Sequence, residues 1–195
     1  MNDTKQTEPI VDLSKQLLLA MPGKVMGSLA NTVIYVCEHT DQGALGLVIN
    51  RPTDLTVGDL LKRLDLPLSL EIGAQQEAPV FFGGPVQTDR GFVLHMPPKG
   101  YGSSIQLGDI ALTTSRDVLQ DVAVGKGPDQ MLITLGYAGW GAGQLEEEMS
   151  QNAWLNVAAT SQIIFDMPPE ERYDAALAQL GIESSIMLSG DAGHA

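Results

Sequence analysis

Cysteine is nearly absent, since Cys37 is the only one in 195 residues. A single thiol excludes an internal disulfide and argues against a zinc site built from thiolates. The three histidines, His39, His95 and His194, are scattered along the chain. No H-E-x-x-H motif and no calcium-loop spacing is present. We therefore expect no bound metal and no cofactor.

Basic residues are also scarce. The chain has 11 Lys and Arg against 24 Asp and Glu, for a net charge of −13. Its second half, residues 101–195, carries 13 acids and only three bases. Phosphate backbones and anionic lipids both require clusters of Lys and Arg. We therefore expect neither direct nucleic-acid binding nor membrane docking, and we expect any partner recognised through charge to be basic.

Long apolar runs are missing as well. The run LLLAM at 17–21 is far too short to span a bilayer, and the polar N-terminus resembles no signal or transit peptide. We therefore expect a cytoplasmic, bacterial protein. A length of 195 residues suits one domain over 1–195, with a loose N-terminal arm at 1–12 and a tail at 190–195.

The pattern of apolar residues predicts strands that are only sometimes separated by helices. Residues 32–39 and 44–50 are rich in β-branched residues and flank a turn, which indicates a hairpin. Helical spacing occurs at 56–64 and 143–151, and the glycine-rich stretch 136–144 predicts a turn before the second of these helices. This arrangement favours an α+β fold over a doubly wound parallel sheet.

The first candidate site is the cysteine with its two neighbours, Glu38 and His39. Side chains two apart on a strand point to the same face, so Cys37 and His39 are expected to meet. An imidazole beside a thiol can stabilise the thiolate, as in a nucleophile or a redox sensor. The alternative is a buried, inert core cysteine, because lone cysteines are usually of that kind.

A second candidate is the glycine cluster, in which Gly139, Gly141 and Gly143 alternate before a predicted helix. Free backbone N–H groups there would hold a phosphate or a carboxylate. The acids at 146–148 would repel such a ligand, and the alternative is a close-packed turn beneath Trp140.

A third candidate is formed by arginines at the ends of predicted elements, namely Arg51, Arg90 and Arg116. They would bind an anion if they converged on one point. The alternative is local salt bridging and capping, which the aspartates beside Arg90 and Arg116 support.

Several longer strings resemble the YqgE/AlgH family of bacterial proteins, and together they cover nearly the whole chain. These strings are LLLAMP at 17–22, YVCEHTDQGALGLVINRP at 35–52, FGGPVQTDRGFVLH at 82–95, TTSRDVL at 113–119, LGYAGWGAGQLEEE at 135–148, NAWL at 152–155 and AGHA at 192–195.

The resemblance implies a bent, partly barrel-like mixed β-sheet surrounded by helices. It also implies kinship with AlgH-type regulators of alginate production, which are described as transcriptional regulators, and it supplies no catalytic residue set. Where family members usually have Asp-Pro, this chain has Met26 and Gly27. Any function that depends on that aspartate is therefore in doubt.

Three functions are compatible with these observations. The first is a non-enzymatic regulatory protein that acts through protein partners. The second is a thiol sensor or cysteine-dependent enzyme centred on Cys37 and His39. The third is a protein that binds a small anion near Arg51, Arg90 and the glycine cluster.

Overall fold

The computed structural model describes residues 10–182. The sheet is a curled, half-barrel and largely antiparallel structure with helices around it, at about 28% helix and 37% strand. The predicted α+β class and the bent, partly barrel-like sheet are confirmed. Most of the predicted N-terminal arm and all of the predicted tail lie outside the described residues.

Ten strands form one continuous sheet in the described part of the chain. Their order is β10-β1-β2-β3-β9-β6-β8-β7, and β4 joins through β5. Every strand pair is antiparallel except β5 with β9, so the sheet is mixed, as expected. The strands are β1 Gln16–Ala20, β2 Val33–Thr40, β3 Gly43–Val48, β4 Pro52–Thr56, β5 Pro79–Phe82, β6 Val86–Met96, β7 Ser104–Leu107, β8 Ile110–Thr113, β9 Gln130–Gly141 and β10 Trp154–Ala158.

Short helices cover the sheet. The α-helices are α1 Val57–Arg63, α2 Asp117–Ala123, α3 Gln144–Ser150 and α4 Arg172–Ala178. A π-helical turn spans Gln162–Asp166, and 3-10 turns span Gly27–Leu29, Leu70–Glu77 and Pro169–Glu171. Among the described helices, none has the length and apolar character needed to cross a bilayer.

Strand β9 joins the two halves of the sheet, because it pairs with β3, β5 and β6. The backbone at Gly136 has φ +79, and a Cβ atom on Gly83 would lie 2.2 Å from the Gly136 carbonyl oxygen. Only glycine permits this backbone contact. Strand β9 continues to Gly141, so the turn predicted within 136–144 is wrong for residues 136–141.

The described residues form three core clusters of buried side chains. The first packs α4 and the π-helical turn on the sheet, and it includes Tyr35, Cys37 and Phe92. The second lies under α3 and contains Trp140 and Trp154. The third lies under α1 and α2. Aliphatic residues dominate all three, in agreement with an aromatic content of only 5%.

Side chains of strand β2 alternate between the first and the second cluster up to a β-bulge. Tyr35 contributes to the first cluster and Val36 to the second. Val36 pairs with Gly46 and Glu38 pairs with Leu45, so Cys37 is the extra residue. Such an insertion shifts the in–out alternation by one position. Glu38 and His39 therefore each point to the face of the sheet opposite to the one that regular alternation predicts.

Candidate functional site

Two of the three candidate sites meet at one corner of the molecule, where β2 and β9 end and β3 and α3 begin. The sheet register places Glu38 beside Leu45 and Gly139, and it places His39 beside Ala44 and Trp140. A cavity of about 460 Å³ opens at this corner. Its lining includes Glu38, Thr40, Gln42, Leu45, Val86, Tyr137 and Trp140.

Cys37 faces the core and does not meet His39. Its thiol is buried in the first cluster and lies 3.8 Å from the carbonyl oxygen of Tyr35, to which it can donate a hydrogen bond. Burial raises the pKa of the Cys37 thiol far above its usual range, and Glu38 adds a smaller increase. The expectation that Cys37 and His39 share a face is therefore wrong, because the bulge turns His39 towards α3.

His39 uses both ring nitrogens to tie other segments to the sheet. Its Nδ1 accepts the backbone N–H of Leu13 at 3.0 Å, and its Nε2 lies 2.7 Å from Glu146 Oε1. Because Nδ1 is an acceptor, the proton is on Nε2 and is donated to the carboxylate. His39 thus joins the chain before β1 to α3, and neither nitrogen is left to serve the thiol.

Glu148 organises the second core cluster. Its Oε2 accepts the indole N–H of Trp140 at 2.8 Å and that of Trp154 at 3.4 Å. The two rings pack edge to face, with their centroids 5.8 Å apart. The acidic run at 146–148 therefore supplies two structural carboxylates, Glu146 and Glu148, and leaves Glu147 exposed.

The glycines at this corner do not form an anion-binding loop. Gly139 and Gly141 lie within β9, paired with β3, and Gly141 donates its N–H to Gln144 Oε1 at 3.0 Å. Gly143 has φ +74 and precedes the first residue of α3. A Cβ atom on Gly43 would lie 2.2 Å from the Trp140 carbonyl oxygen, so close strand packing explains the glycine there.

The three arginines do not converge on one point. Arg51 donates to the carbonyl oxygen of Ala30, in the segment that follows Met26 and Gly27. Arg116 donates to the carbonyl oxygen of Leu64. Arg90 stacks on the ring of Phe92, with its guanidinium carbon 5.1 Å from the ring centre. Each arginine therefore has its own contact, but the local salt bridges that the alternative interpretation predicts do not occur among the described residues.

A polar chain around His95 was not apparent in the sequence. The ring is buried, with Nδ1 3.1 Å from the Pro97 carbonyl oxygen and Nε2 2.7 Å from Thr113 Oγ1. A carbonyl only accepts, so Nδ1 carries the proton and the Thr113 hydroxyl donates to Nε2. The Ser104 hydroxyl, 2.6 Å away, then donates to Thr113. Burial lowers the pKa of His95, so this chain links β6, β7 and β8 through a neutral ring.

Comparison with known proteins agrees with the family resemblance seen in the sequence motifs. The family model for AlgH-like proteins matches residues 17–185. A UPF0301 protein of Bordetella petrii is 67% identical over 194 residues, covering 100% of this chain and 95% of that protein. The chain belongs to the AlgH-like family. A UPF0301 protein of Burkholderia mallei is 56% identical over 188 residues, covering 95% and 96% of the two chains.

Solved structures show the same fold. The solution structure of AlgH from Pseudomonas aeruginosa has a TM-score of 0.77 and 47% identity to this AlgH-like protein, covering 100% of both chains. A crystal structure from Corynebacterium diphtheriae has a TM-score of 0.68 at 15% identity, covering 93% of each chain. At that identity the likeness shows the fold alone.

Removal of the Glu148 carboxylate should destabilise the protein. Glu148→Ala leaves two indole N–H groups without their acceptor, and we expect a loss of about 1–3 kcal/mol in the free energy of unfolding. Glu148→Gln keeps one acceptor oxygen and should lose less. Glu147→Ala, at an exposed position on the same helix, is the matched control. Equal urea midpoints for Glu148→Ala and Glu147→Ala would contradict the role of Glu148.

The Cys37 thiol should be unreactive in the folded protein. We expect its alkylation by iodoacetamide at neutral pH to be far slower than that of a free thiol, because the group is buried and its pKa is raised. The rate should rise with added urea in step with the unfolded fraction. Rapid alkylation in native buffer would restore the thiol as a functional centre.

Proposed function

We propose that this AlgH-like protein is a cytoplasmic regulatory protein that acts by binding a protein partner rather than DNA. The partner would present a basic segment to the cavity lined by β2, β3 and β9, which we call the acidic corner. The resemblance to AlgH-type regulators supports the regulatory role, and the geometry of Glu38 supports the place and the charge of the contact.

The observation that carries the proposal is the position of Glu38. The bulge at Cys37 puts this exposed carboxylate on the wall of the 460 Å³ cavity. No Lys or Arg is present among the residues that line this cavity in the described part of the chain. A lysine or arginine from a partner would meet the carboxylate, and its aliphatic stem would pack on Leu45 and Tyr137.

The surrounding charge reinforces this preference. Asp41 lies exposed in the turn between β2 and β3, between Thr40 and Gln42, which both line the cavity. With a net charge of −13, the protein attracts a basic partner at long range and repels a phosphate backbone. An effect on transcription would then pass through protein contact.

The two alternative functions lose their geometric support. A thiol sensor or enzyme needs an accessible thiolate beside its base, whereas Cys37 is buried and His39 lies on the other face. A small-anion site at Arg51, Arg90 and the glycines needs these groups to converge, and each of them makes a separate contact instead.

Charge reversal at Glu38 tests the proposal. Tagged wild-type protein, Glu38→Lys and Glu71→Lys are incubated with lysate of the bacterium that encodes the protein, and the retained proteins are quantified by mass spectrometry. We expect the same partner with wild type and with Glu71→Lys, an exposed acid outside the cavity, and loss of that partner with Glu38→Lys.

Two outcomes would overturn the proposal. Equal recovery of partners by wild type and Glu38→Lys would remove the acidic corner as the docking site. Tight, sequence-specific DNA binding by the purified protein in a gel shift at physiological salt would contradict the indirect mode of action.

A further inference from the structure

Arg172, the first residue of α4, is a buried cation without an acidic partner in the described residues. Its side chain is 4% exposed. Its Nε–H donates to the Met167 carbonyl oxygen at 2.9 Å, and Nη1 donates to the carbonyl oxygen of Ile49. The guanidinium carbon lies 5.1 Å from the centre of the Phe81 ring. These partners are carbonyl groups and a ring, so the positive charge is not neutralised.

Arg172 also lines a cavity of about 280 Å³. The other walls are largely apolar, and they include Phe81, Leu132, Ile164 and Phe165. Within residues 10–182, the Nη2 atom of Arg172 has no hydrogen-bond partner, so its two N–H groups remain unpaired on a side chain that lines the cavity. An apolar chamber with one available cationic donor is a typical small-ligand site.

Burial makes this arrangement costly without a ligand. It lowers the pKa of Arg172 to about 10, with a smaller opposing effect from Glu170, and the group stays protonated at neutral pH. A buried charge is stabilised best by a paired, hydrogen-bonded counter-charge. A carboxylate fits the planar guanidinium fork and forms short, charge-assisted hydrogen bonds with it.

We propose that this cavity binds a small amphipathic monocarboxylate, with its carboxylate on Arg172 and its aliphatic body against Phe81 and Ile164. Acidic side chains near the cavity disfavour ligands that carry more than one negative charge. Asp166 belongs to the lining and accepts a hydrogen bond from Gln130 at 2.7 Å, and Glu170 precedes Arg172 by two residues. Phosphates and dicarboxylates are therefore poorer ligands than monocarboxylates.

Sodium octanoate and its neutral analogue octanamide test this site. Isothermal titration calorimetry of the wild-type protein should show saturable, one-to-one binding of octanoate and an affinity for octanamide that is roughly tenfold or more weaker, because the neutral head forms no charge-assisted bond. Octanoate should also raise Tm, since it binds the folded state. Equal affinity for the two compounds, or no saturable binding of octanoate, would overturn the proposal.

Two variants locate the binding. Arg172→Met should abolish the preference for octanoate over octanamide. Met131→Trp fills the same cavity without changing the charge, and it should weaken both ligands together. This second variant keeps the test decisive if Arg172→Met does not fold. Unchanged octanoate affinity in Met131→Trp would place the ligand elsewhere and contradict the proposal. The site is separate from the acidic corner, so either proposal can fail without the other.

Discussion

The β-bulge at Cys37 is the constraint on which the candidate site depends. An extra residue in β2 sets the faces on which Cys37, Glu38 and His39 lie. It leaves the thiol in the first core cluster, sends the imidazole to α3 and puts the Glu38 carboxylate at the surface cavity. Regular alternation would instead place His39 on the same face as Cys37 and bring Glu38 towards α3. The same residues would then form a different site.

Helix α3 is fixed in place by carboxylates, although it has only seven residues. Isolated helices of this length are unstable, so its position depends on tertiary contacts. Glu146 binds His39, and Glu148 binds the two indoles of Trp140 and Trp154. Two of the three acids in the run are thus used inside the protein. The charge of the acidic corner comes from exposed acids outside the run, namely Glu38 and Asp41.

Much of the fold is predictable from local pattern. The hairpin expected at 32–39 and 44–50 is present as β2 and β3, and the helix expected at 56–64 is present as α1, where the Thr56 hydroxyl accepts the Asp59 N–H at 3.1 Å. β-branched residues, turn residues and helix caps act within a few positions along the chain, so the sequence displays them. The bent shape of the sheet is predicted by the family resemblance and not by local pattern.

The site was less predictable because its contacts join distant positions. The bulge follows from how β2 pairs with β3 and has no signature in the sequence. His39 and Glu146 are 107 positions apart, and Arg172 meets the Ile49 carbonyl group across 123 positions. Arg172 also follows two exposed glutamates, a pattern that is typical of a surface position. One local feature indicates that Arg172 is buried: Ala176, four positions further along the same face of the helix, is a small apolar residue and is buried.

The most direct test of this account is the position and tautomer of the His39 ring, measured by NMR on the folded protein. The bulged register predicts an unprotonated Nδ1, a protonated Nε2 and nuclear Overhauser contacts from the ring to Leu13 and Glu146. Contacts between the His39 ring and the Cys37 β-protons would show that the two side chains share a face. That result would contradict the bulge and return the thiol–imidazole pair to the centre of the function.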